Sequence, residues 1–166
     1  MLTGYTSLRG VIVAAGPAGA RRAGTRAGPR SRSRTGAGAA VAVGDRFNIA
    51  GFGVTAAGSD NGIGLPRAAP LIATGQPGTL QIRLFDPATK GERPGLGACT
   101  GDSGAPVLRD VEGRLMVIGV VSWSTGPKLG AGCGGLTGVT PLVRYRDWIV
   151  QAAGKLGSPV TQCSPA

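Results

Sequence analysis

The sequence contains no histidine. An imidazole base and every histidine-bearing zinc motif are therefore excluded within these 166 residues, and the three scattered cysteines lack the paired spacing of a cysteine zinc site. No metal and no cofactor is expected. Apolar runs are also short: the longest, Leu115 to Val121, is broken by Gly119 and falls well below the ~18 residues of a membrane-spanning helix. Acidic residues are missing from one whole region. All eight lie at or beyond Asp45, so residues 1–44 carry seven arginines and no counter-charge. The net charge of +10 falls mostly on that arm, and the remainder, with eleven bases against eight acids, is nearly balanced.

Glycine, by contrast, is plentiful, with 31 residues where an average chain would have about 7% of its length. With aromatics at only 4% and hydrophobic residues at a normal 42%, this composition suits short strands joined by tight turns. Residues 1–44 do not share that pattern. The stretch GPAGARRAGTRAGPRSRSRTGAGAA at 16–40 has no apolar periodicity and cannot bury enough to offset its ordering entropy. It reads as a disordered basic arm, an arginine-rich transit segment, or non-native sequence from a truncated or misread gene. A secretory signal is not convincing, because the apolar VIVAA at 11–15 is shorter than the ~7 residues such a core needs.

From Asp45 the alternation becomes that of strands. RFNIAGFGVT, APLIATG, GTLQIRLFD, APVLRD, RLMVIGVVSW and LTGVTPL read as six strands, and the VEG between the fourth and fifth marks a hairpin. LVRYRDWIVQAAG, from Leu142, spaces Val143, Trp148 and Ile149 as a helix, with Gly154 where its C-terminal cap is expected. Six short strands and a closing helix predict a compact barrel or sandwich over residues 45–154, followed by a flexible tail at 155–166.

Within that unit, GACTGDSGAPVL at 97–108 carries the most chemistry. Gly101 and Gly104 leave backbone amides uncovered beside the Ser103 hydroxyl, as an oxyanion-binding loop requires, and Asp102 could fix the loop through a buried ion pair. A plain polar turn, with Asp102 and Ser103 capping their own backbone, is the alternative. The serine elbow of the α/β-hydrolases is excluded, since Ala105 and Pro106 lead into a strand instead of a helix.

Four motifs in order, NIAGFGVT at 48–55, CTGDSGAP at 99–106, VIGVVSWS at 117–124 and TGVTPLVRYRDWI at 137–149, resemble the C-terminal half of a chymotrypsin/trypsin-like serine endopeptidase of a bacterial, glycine-rich type. The resemblance implies an all-β fold, the C-terminal six-stranded Greek-key barrel of that family with its closing helix, and an N-terminal barrel absent or unrecognisable. It implies Ser103 as nucleophile, the amides of Gly101 and Ser103 as oxyanion hole, and Asp102 as the residue that holds the hole open. In the family that aspartate usually pairs with an N-terminal ammonium released by activation cleavage, for which residues 1–44 show no recognisable site. Gly97 and Ala98 fall at the base of the primary specificity pocket, with Ser122, Trp123, Ser124 and Gly138 on its walls. An uncharged base favours small or medium apolar side chains over Arg or Lys. A Cys99–Cys133 disulfide is implied too, against the alternative of two separate thiols; Cys163 is left over.

These readings imply a peptide or protein substrate, an oxidising compartment, secreted or periplasmic, and a possible partner in a complementary N-terminal barrel. The missing histidine sets the expected activity. A serine needs a base of suitable pKa within reach, a carboxylate near pKa 4 is a poor one, and Lys90, Lys128 and Lys155 read as solvated loop residues. The chain alone is therefore expected not to be a working protease. One alternative is a non-catalytic module that binds extended peptides along Ser122–Ser124. A lesser one, attachment to nucleic acid or an anionic surface through the arginine arm, lacks support from aromatics, since Tyr5 is the only one there.

Overall fold

The computed structural model describes residues 6–7, 40–78, 80–111 and 113–158. Its strands are β1 (Thr6–Ser7), β2 (Arg46–Gly51), β3 (Arg67–Thr74), β4 (Ile82–Phe85), β5 (Pro106–Val111), β6 (Arg114–Ser124) and β7 (Leu136–Pro141), followed by the helix α1 (Arg146–Lys155). β2 to β7 pair antiparallel in the order β3-β2-β5-β6-β7-β4, and the pairing of β4 with β3 closes the ring. The fold is thus a six-stranded antiparallel barrel with a C-terminal helix, and the sandwich alternative is set aside. β1 lies inside the expected arm and pairs with Arg67 and Ala68, the part of β3 that β4 does not reach. The rest of that arm up to residue 39, and Cys163, lie outside the described residues.

Strand alternation explains the interior. In β2 and β3, Phe47, Ile49, Ala69, Leu71 and Ala73 point inward, joined by Ile82 and Leu84 of β4, Val107 of β5, Val121 of β6 and Val139 of β7. The two alanines on β3 leave room for the Phe47 ring in a narrow barrel. Phe47, Leu71 and Leu84 are almost completely enclosed, and each such side chain contributes about 1.5–3 kcal/mol through burial. Outside the core, the Arg109 guanidinium pairs with Asp45 and lies 5.2 Å from the centre of the Phe47 ring, tying β5 to the start of β2.

Several elements differ from their sequence reading. β2 stops at Gly51, so the following FGVT is a turn, and β4 covers only Ile82–Phe85. Leu142–Tyr145 forms a 3₁₀ turn before α1 begins, because the chain leaves β7 through Pro141, which holds an extended conformation at the helix start. Gly154 is not the cap. It lies inside α1, which runs through Lys155, and the left-handed residue is Gly157, whose N–H bonds to the Gly154 carbonyl. Lys155 is accordingly helical and not in a loop, although it is exposed like Lys90 and Lys128.

Candidate active site

The serine loop is anchored from three directions. Gly104 N–H donates to the Val121 carbonyl at 2.8 Å and Val121 N–H to the Ala105 carbonyl at 2.9 Å, which sets Ser103 beside the end of β6. From the β2 side, Val54 N–H donates to the Thr100 carbonyl at 2.9 Å. The third anchor is Asp102. Its carboxylate is buried, with Oδ1 accepting from Gly53 N–H at 2.8 Å and Oδ2 from Cys99 N–H at 2.9 Å. Two peptide donors thus engage the carboxylate, one on each oxygen. Among the described residues the ion pairs are Arg109–Asp45 and Arg146–Asp147.

Gly53 was not singled out in the sequence, yet it is central to this arrangement. A Cβ there would stand 2.5 Å from the Thr100 carbonyl oxygen and 2.7 Å from the Asp102 carboxyl carbon, so only glycine lets the turn reach the loop. Ser103, by contrast, is exposed. Neither its hydroxyl nor the amides of Gly101 and Ser103 find a hydrogen-bond partner among the described residues, and Gly101 holds a φ of +91°. Solvent or a ligand can reach all three groups.

Next to the loop, the expected wall residues come from two paired strands, β6 and β7. Cys99 and Cys133 are joined by a disulfide, closing a 34-residue span that links the loop to the segment preceding β7. Gly97 and Ala98 are buried against Thr137 of β7. The Ala98 amide donates to Thr137 Oγ1 at 3.0 Å, and a Cβ on Gly97 would lie 3.2 Å from the same oxygen. Thr137 is wholly enclosed, and the sequence reading did not identify it. Its position opposite Ser124, with Trp123 opposite Gly138, places four residues of two strands around one end of the barrel. The Trp123 indole lies directly over Gly138, where any side chain would collide with it. Ser122 sits in the register shift between Val121 and Trp123, exposed, with its hydroxyl 2.6 Å from that of Thr140. Beyond the Pro106–Val120 pair, β5 no longer covers β6, so among the described residues Ser122–Ser124 have a sheet partner on the β7 side only.

Residues 87–149 match the trypsin family model. The fold is that of a chymotrypsin-like barrel, and this segment is similar to the trypsin family. Matching segments of the chain are 46% identical over 55 residues to vitamin K-dependent protein C of Oryctolagus cuniculus, covering 31% of this chain and 11% of that protein. They are 42% identical over 55 residues to tissue-type plasminogen activator of Homo sapiens, covering 31% and 9%. Among solved structures, human heparin binding protein superimposes with a TM-score of 0.53 at 28% identity, over 76% of this chain and 50% of that one. The chain thus spans about half the length of the solved structures it matches and about a tenth of the curated relatives. The trypsin-family match, which begins at Pro87, takes in the serine loop, the disulfide and the strands β6 and β7.

Proposed function

We propose that this barrel is the nucleophile-bearing half of a serine endopeptidase, with Ser103 as nucleophile and the amides of Gly101 and Ser103 as oxyanion donors. The observation that carries the reading is the state of the loop: its carboxylate is buried and fully engaged, while its hydroxyl and two amides are left open. Asp102 and Gly53 are then positioning residues, holding the loop without touching substrate. Gly97 and Ala98 form an uncharged pocket base, with Trp123, Ser124 and Gly138 as walls, and this base suits small or medium apolar side chains. An extended peptide would add to the open side of Ser122–Ser124 as a further strand. The disulfide fits a secreted or periplasmic setting.

The proton acceptor has to come from outside this sequence, which holds no histidine. Lys90, Lys128 and Lys155 are all exposed to solvent. Loss of the base in an unrelated serine protease costs about a million-fold in turnover, ~8 kcal/mol of barrier, and the isolated chain is assigned a loss of that order. A complementary barrel carrying a histidine would restore the base. Phe52 beside the loop, and Val143, Tyr145 and Trp148 at the start of the helix, are large apolar side chains exposed to solvent and give such a partner something to cover.

A fluorophosphonate probe tests the assignment. Ser103 of the isolated chain is expected to label far below stoichiometry, and addition of a histidine-bearing barrel is expected to raise labelling at Ser103 and not in a Ser103→Ala variant. Stoichiometric labelling of the isolated chain overturns the dependence on an outside base. Tight binding of extended peptides with no labelling under either condition favours the non-catalytic peptide-binding reading instead.

A further inference from the structure

The chain has two asparagines, and they stand in opposite settings. Asn48 lies in β2 with strands on both sides, opposite Pro70 of β3 and Leu108 of β5, and is followed by Ile49. Asn61 is exposed in the turn between β2 and β3 and is followed by Gly62, which has no Cβ to shield its nitrogen. Neither the Asn61 side-chain amide nor the Gly62 N–H has a hydrogen-bond partner among the described residues. The carbonyl of the peptide joining them is, however, engaged twice, by Thr55 N–H at 3.0 Å and Thr55 Oγ1 at 3.2 Å. Two donors on that carbonyl polarise the peptide group and make its own N–H easier to deprotonate.

We infer that Asn61 is a site of spontaneous deamidation, whose isoaspartyl product loosens the support of the serine loop. The deprotonated Gly62 nitrogen attacks Cγ of Asn61, a C–N bond forms, and the side-chain nitrogen leaves as ammonia with protons taken from water. The resulting succinimide ring is opened by water at either carbonyl, giving aspartate or isoaspartate. The balance is one water consumed and one ammonia released, with no oxidant or reductant. The isoaspartyl product carries an additional methylene in the main chain immediately before Gly62. That displaces the Gly62 carbonyl, which accepts from Arg67 Nη1 at 2.7 Å. Arg67 is buried at the start of β3 and, with Gly51, Asp102 and Ala105, lines one small cavity beneath the loop. A buried guanidinium that loses an acceptor is costly, and the cost falls on the residues sharing that cavity.

The test ages the folded protein in mildly alkaline buffer, beside a synthetic peptide spanning residues 56–66, and maps both by mass spectrometry. The Asn61 peptide is expected to show the conversion of amide to acid and to accept a methyl group from an isoaspartate-specific methyltransferase, while Asn48 keeps its amide. Aged protein is expected to melt below an Asn61→Asp variant, which has the new charge but a normal main chain, and an Asn61→Gln protein should resist ageing. Retention of the Asn61 amide while the free peptide converts overturns the site. Equal melting of aged protein and the Asn61→Asp variant overturns the link to Arg67.

Discussion

The serine loop and the C-terminal helix are held by opposite means. The loop has little apolar bulk but is fixed at Thr100, Gly104 and Ala105 by main-chain hydrogen bonds to the turn after β2 and to β6, at Asp102 through its carboxylate, and at Cys99 by the disulfide. The helix is rich in large side chains yet buries none of them, and Trp148 and Leu156 remain 70% and 81% exposed. Tyr145, Trp148 and Leu156 fall at helical spacing on one side, an apolar stripe with no cover among the described residues. Polar groups make one part rigid within the barrel itself. Apolar groups leave the other part dependent on something else for burial.

Substitutions can break this contrast, beginning where the effect is largest. Replacing Cys99 and Cys133 together by alanine frees a 34-residue span and is expected to cost roughly 3–4 kcal/mol in denaturant unfolding, through the added entropy of the unfolded chain. Asp102→Ala leaves the Gly53 and Cys99 amides buried without an acceptor, and about 2–3 kcal/mol of stability should be lost. Limited proteolysis near Ser103 should then speed up, since the loop loses its inner anchor. At the other extreme, Trp148→Ser should change stability by no more than about 0.5 kcal/mol, as expected of an exposed position. The same change should weaken binding of a histidine-bearing complementary barrel in sedimentation runs, and unaltered binding would show that the stripe is not what that partner covers.

The contrast also bears on what could be read from the residues alone. Strand positions were legible, because alternation in stretches such as RFNIAG and RAAPLIAT reports directly which side chains face the core. The serine loop was legible through its glycines and its flanking cysteine. Asp102 was read as the residue that fixes it, but the partner Gly53 was not identified: it lies 49 residues away, and a backbone amide that serves a distant carboxylate leaves no mark in side-chain chemistry. Thr137 escaped for a related reason, since a threonine in a strand looks like any β-branched residue until its hydroxyl is seen under the Ala98 amide. The end of α1 was misplaced because Gly154 and Gly157 are equally plausible stops, and the helix passed the first to satisfy its carbonyls at the second.

The register shift at Ser122 sets how this part of the chain can change in length. Two residues of β6 span a single step of β7 there, so that Val121 meets Val139 inside the barrel and Trp123 meets Gly138. Removing the extra residue would leave Trp123 opposite Gly138 and Ser124 opposite Thr137, now in regular pairing without the bulge. A one-codon deletion at Ser122 would thereby be absorbed by the bulge with both strand faces unchanged, and a residue added in the exposed turn around Asn61 would likewise leave every strand in phase.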